Sequence, residues 1–130
     1  MKLIQQINLA NGLVLSIYDL SRQIAADTSR VEILAKTEIS LERSYFENED
    51  DYTQVKIIFG DKISFEYRKE RSFIPVERQN EVRDELIDTF RGNSLNYISS
   101  PNFPKHLALS KLRDIKSNPY KYRKIPEQEI

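Results

Sequence analysis

Between Arg30 and Leu41 apolar and polar side chains alternate almost without a break. Val31, Ile33, Ala35, Ile39 and Leu41 fall on one side, and Glu32, Lys36, Glu38 and Ser40 on the other. Successive side chains of a strand point to opposite faces, so this run reads as a long strand with one buried and one wet face. Parallel sheets are covered on both faces, whereas antiparallel sheets commonly leave one in water. The segment therefore commits the chain to a sheet that is largely antiparallel.

The residues before it supply a hairpin around Asn11-Gly12. A two-residue turn would set Asn8 opposite Leu15 and scatter the apolar side chains over both faces. A three-residue loop, Ala10-Asn11-Gly12 with Gly12 in the left-handed region, pairs Leu9 with Leu13 and Ile7 with Leu15. That register gathers Leu3, Ile7, Leu9, Leu13, Leu15 and Ile17 on one face. After the acidic run Glu47-Asn48-Glu49-Asp50-Asp51, the residues Tyr52, Val55, Ile58 and Phe59 recur at helical spacing and stop at Gly60, although β-branched content keeps a strand over 53–59 open. Asn48 or Asp50 is placed to cap such a helix, with the acids near its positive end. Ile63, Phe65 and Tyr67 alternate with Ser64, Glu66 and Arg68 as a fourth strand.

Pro75, Glu77 and the stripe Val82, Leu86, Phe90 predict a helix from about 75 to 91, closed by Arg91-Gly92. Beyond Pro101 and Pro104, Ala108, Leu112 and Ile115 mark a further helix that Pro119 ends. The predicted architecture is α+β. A four-stranded, mostly antiparallel sheet consists of the N-terminal hairpin, the long third strand and a fourth strand after a short helix, and two C-terminal helices pack on one of its faces. Residues 1–118 form a single domain and 119–130 a C-terminal tail; periodicity alone leaves the order of strands open.

Composition narrows the chemistry. In 130 residues there is no Cys, one His and three Gly. Thiol nucleophiles, Cys-ligated metals and disulfides are thereby excluded. A multi-His site needs more than one His, and a phosphate-cradling loop needs clustered glycines. No apolar run reaches the length of a membrane span, and Gln5, Gln6, Asn8 and Asn11 interrupt any leader-like stretch, so the expected location is cytoplasmic, away from membranes. The 20 basic and 20 acidic residues cancel, but not evenly. Residues 38–51 carry six acids against Arg43, and residues 105–124 carry seven bases against Asp114.

The runs Leu9-Ala10-Asn11-Gly12-Leu13, Tyr18-Asp19-Leu20-Ser21-Arg22, Phe59-Gly60-Asp61 and Glu66-Tyr67-Arg68-Lys69-Glu70-Arg71 resemble those of a family of small uncharacterised bacterial proteins. The resemblance extends from the hairpin to the helix after Pro104. It implies a bacterial, free-standing domain, and it brings no established function, cofactor or catalytic residue.

Two groups of residues could bind a ligand. Lys105, Lys111, Arg113, Lys116, Tyr120, Lys121, Tyr122, Arg123 and Lys124 interleave cations with aromatic rings, a pattern suited to a polyanion or single-stranded nucleic acid. Against that stands a sequence pI near 6.6, well below that of a dedicated binder. The competing account has the cations clothing a helix while Tyr120 and Tyr122 pack the tail onto the body. Arg22, Arg68 and Arg71 could grip a small anion, yet cross-strand pairing of Arg68 with acids such as Glu32 or Glu38 accounts for such residues equally well. The acidic run lacks the spacing and glycine of a calcium loop, and His106 has no nucleophile motif beside it. Neither catalytic residues nor cofactor nor metal is assigned, and a non-enzyme is favoured over an enzyme. The reading is a protein-interaction or self-associating module, with a homo-oligomer or another protein as partner and nucleic acid as the less favoured alternative. The decisive unknown is whether the acidic and basic segments are adjacent in space.

Overall fold

The computed structural model describes residues 1–122; Arg123 and Lys124 of the basic segment lie outside the described residues. The chain opens with the hairpin β1 (Lys2–Asn8) and β2 (Val14–Asp19), continues through β3 (Arg22–Ala25) and β4 (Thr28–Ser40), and after a 3-10 turn at Arg43–Tyr45 forms α1 (Glu49–Phe59). Then come β5 (Lys62–Pro75), a second 3-10 turn at Val76–Arg78, α2 (Gln79–Ile98) and α3 (Phe103–Ser117). The fold is α+β with an antiparallel sheet.

Strand order follows from register. Ser16 faces Lys36 and Asp19 faces Ile33 in the β2–β4 ladder, and Arg22 faces Arg30 in the β3–β4 ladder, which continues the same register. β2 and β3 are thus two halves of one strand, interrupted at Leu20-Ser21. The interruption stays tied to β4, because Leu20 N donates to Glu32 O at 2.9 Å and Glu32 N donates to Ser21 Oγ at 3.1 Å. With β1 outside β2 and β5 pairing with β4, the sheet is a meander of four rows.

The hairpin has the three-residue loop that its apolar register requires. Ile7 faces Leu15, Leu9 N donates to Leu13 O at 2.8 Å, and Gly12 has φ +89°. Leu3 departs from expectation. The register shifts between Leu3 and Gln5, so Gln5 faces Ile17 while Leu3 faces Tyr18. A bulge inserts one residue and reverses the alternation beyond it, which removes Leu3 from the core face. β4 buries Val31, Ile33, Ala35 and Ile39 as the alternation requires, and also Leu34 on the opposite face.

α1 is a helix, not a strand. Asn48 Oδ1 accepts from Asp51 N at 2.9 Å, three acids occupy the first turn, and Gly60 at φ +84° closes the end. β5 is far longer than its alternating part, because Lys69 to Ser72 are all exposed and carry no period-2 signal. Backbone pairing with β4 holds them. α2 begins at Gln79, later than Pro75, since β5 continues to that proline. It also runs through Gly92, which therefore is not a helix end. The fully buried Ile98 anchors the last turn, and that burial outweighs the helix propensity lost at a glycine.

The described residues divide into two compact units, residues 1–37 with 65–100 and residues 38–64 with 101–122. In the first, α2 lays Val82, Leu86, Phe90 and Ile98 into a core with Leu15, Ile17, Val31, Ile33 and Ala35, and the Tyr67 ring sits 4.8 Å from that of Phe90. Arg83 of α2 reaches Asp19 at 3.5 Å, and Ser29 Oγ meets Gln79 Oε1 at 2.6 Å. In the second, α1 and α3 pack together and bury Tyr52, Val55, Phe103, Leu107, Ala108 and Leu112.

Two positions in this framework are not at their stability optimum. Thr37 is 2% exposed and its hydroxyl has no hydrogen-bond partner among the described residues. Thr37→Val keeps the shape and removes the buried hydroxyl, and it is expected to raise the unfolding free energy by about 1 kcal/mol in urea titration. A Cβ at Gly92 would meet nothing within 4 Å. Gly92→Ala is expected to add a similar amount, about 1 kcal/mol, with an unchanged m-value.

Candidate functional site

The wet face of the sheet in the first unit carries an apolar row that no single strand shows. The bulge places Leu3 opposite Tyr18, and Tyr18 lies opposite Leu34 on β4. Directly opposed side chains on one face are neighbours, so the three residues run side by side across β1, β2 and β4. Leu3 is 48% exposed at the outer end, and Leu34 is 4% exposed at the inner one. Polar pairs flank the row. Gln6 Nε2 donates to Ser16 Oγ at 3.3 Å on one side. On the other, Arg30 Nε donates to Glu70 Oε2 at 2.7 Å and Arg68 lies 3.4 Å from Glu32. A second exposed apolar group lies near the end of β5, where Phe73 is 80% exposed at φ +62°. A bulky residue held there costs on the order of 1 kcal/mol.

The three arginines proposed as an anion clamp have separate surroundings. Arg68 pairs with Glu32 and, at 4.0 Å, with Glu66. Arg71 pairs with Glu85 of α2 at 3.4 Å, and Arg22 lies opposite Arg30. Residues three apart on a strand point to opposite faces, which separates Arg68 from Arg71. Arg68–Glu32 is the cross-strand ion pair that alternation predicts, and Arg71–Glu85 joins β5 to α2.

In the second unit the acidic and basic segments meet. Lys116 Nζ lies 3.3 Å from Asp51 Oδ1, and Arg43 pairs with Glu49 at 3.1 Å. Arg43 and Lys56 also lie over the Tyr52 ring, at 4.8 and 5.7 Å from its centre, and Lys111 lies 5.4 Å from that of Phe59. Cations over aromatic faces are attracted to the ring quadrupole. Lys105, His106 and Arg113 are exposed on α3, where Lys105 borders a groove of about 370 Å³. Tyr45 borders it too; burial, and then its hydrogen bond to Glu42, push its hydroxyl up to about 12.

The start of the tail folds back. Asp114 accepts hydrogen bonds from the Tyr122 hydroxyl, from Lys121 at 3.4 Å and from Asn118 at 2.9 Å. The Tyr122 ring packs edge-on against Phe59, with centroids 5.9 Å apart, while Tyr120 is exposed. Lys121 and Tyr122 thus make contacts within the fold. No group of three or more His, Asp or Glu side chains placed to hold a metal occurs among the described residues, and none of their helices is long and apolar enough to cross a membrane. No family model, curated protein or solved structure matches the chain.

No pattern in the sequence marks the Leu3–Tyr18–Leu34 row, because a bulge has no period of its own. Its one signal was the uninterrupted stretch Leu3-Ile4, which no strict alternation can satisfy.

The Tyr122 hydroxyl, ahead of Lys121 and Asn118, holds the Asp114 carboxyl below its ordinary value of 3.8. A carboxyl depressed by folding stabilises the fold above its unfolded pKa, and that contribution disappears as pH falls through the depressed value. Tyr122→Phe removes the main cause. In a carboxyl-carbon NMR titration the Asp114 midpoint is expected to move up toward 3.8.

Proposed function

We propose that this chain is a non-enzymatic interaction module that associates with a second copy of itself through the wet face of its sheet. The observation that carries the proposal is the bulge that turns Leu3 out of the core and into line with Tyr18 and Leu34. Bulges re-aim side chains, and a leucine that could have been buried is here left half in water. Leu3 and the half-buried Tyr18, backed by the already buried Leu34, have a rim of hydrogen-bonded and ion-paired groups around them, which is the usual anatomy of a protein interface. The rim carries both signs, Arg30 and Arg68 against Glu32 and Glu70, so two copies meet without net repulsion.

The test is light scattering across a wide concentration range. A monomer–dimer equilibrium is expected, and Leu3→Glu is expected to weaken it by roughly tenfold or more, as losing one buried leucine side chain implies. A monomer at every concentration, or a dimer indifferent to Leu3→Glu, would overturn the reading.

A further inference from the structure

The groove of about 370 Å³ in the second unit has a volume within the usual range for small-molecule sites. Its floor is one stripe of α3, where Leu109 and Leu112 lie between Lys105 and Lys116 at helical spacing. The opposite wall holds Tyr45 and Phe46. The charged lining is divided in an informative way. Asp51 and Lys116 satisfy each other at 3.3 Å. Glu47 and Lys105 line the same groove, and neither side chain has a hydrogen-bond or ion-pair partner among the described residues.

We propose that this groove binds a small zwitterion with an apolar side chain, the chemistry of an apolar α-amino acid. Lys105 takes the carboxylate, Glu47 takes the ammonium group, and the side chain lies among Phe46, Leu109 and Leu112. One unpaired cation and one unpaired anion select a ligand carrying both charges. A phosphate would satisfy Lys105 but face Glu47 and Asp51, and a simple amine would satisfy Glu47 but face Lys105 and Lys116. The paired Asp51 and Lys116 close the balance without demanding anything of the ligand. The raised Tyr45 hydroxyl stays neutral through the physiological range, so the aromatic wall adds no further charge. This site lies wholly within the second unit, and the proposal is independent of the sheet face.

The experiment is a chemical-shift titration of the full chain with four probes: leucine, N-acetyl-leucine, leucinamide and inorganic phosphate. Leucine is expected to give saturable shifts confined to residues 44–51 and 105–116, with a dissociation constant of about millimolar for a ligand of its size. N-acetyl-leucine lacks the ammonium group and leucinamide lacks the carboxylate, and each is expected to bind roughly tenfold more weakly, as loss of one charge-assisted hydrogen bond implies. Lys105→Met and Glu47→Gln replace exposed side chains and leave the remaining amide spectrum in place; each is expected to weaken leucine by a similar factor. Lack of saturation by leucine, equal binding of the blocked derivatives, or the same shifts from phosphate would overturn the assignment.

Discussion

The pairing of β4 on both of its edges is the interaction on which the rest depends. This 13-residue strand takes the interrupted strand β2–β3 on one side and β5 on the other, so each neighbour's register is set against it. Its buried face of Val31, Ile33 and Ala35 must be covered, and the stripe on α2 covers it. Burying apolar surface supplies the driving force, but the ladder decides where it acts. Slipping β4 by one residue would turn Val31 and Ile33 into water and Glu32 into the core, which makes the register hard to lose.

Charge has a different role in each unit. On the sheet, ion pairs such as Arg30–Glu70 and Glu32–Arg68 join neighbouring strands on the wet face. Exposed pairs of this kind contribute at most about 1 kcal/mol each, so they tune register and solubility more than they hold the fold. In the second unit the acids near the start of α1 and the bases of α3 meet, and the neutral total of the chain is also a local neutrality around Asp51 and Lys116. That proximity weighs against a free basic surface along α3 as a nucleic-acid groove.

Much of the fold was legible from local pattern. Alternation marks β4, the apolar register selects a three-residue hairpin loop, and Asn48 and Gly60 bracket α1 through cap chemistry. Signals failed where no side chain pattern records the outcome. The exposed half of β5 is charged and aperiodic, and it is a strand because β4 offers it backbone partners. Gly92 carries the local chemistry of a helix end, yet Ile98 beyond it is fully buried and draws the helix onward.

The sequence by itself determined the class of fold, the chemistry it excludes and the identity of the strong caps, because these rest on composition, on periods of two and 3.6, and on contacts within a few residues. Only the tertiary structure decided which charges neutralise which, that β2 and β3 form one strand, and that Leu3 joins Tyr18 and Leu34 on the wet face. These depend on residues far apart in the chain meeting across ladders and helix faces. A one-residue bulge, invisible in composition, is sufficient to move a side chain from one face of the sheet to the other.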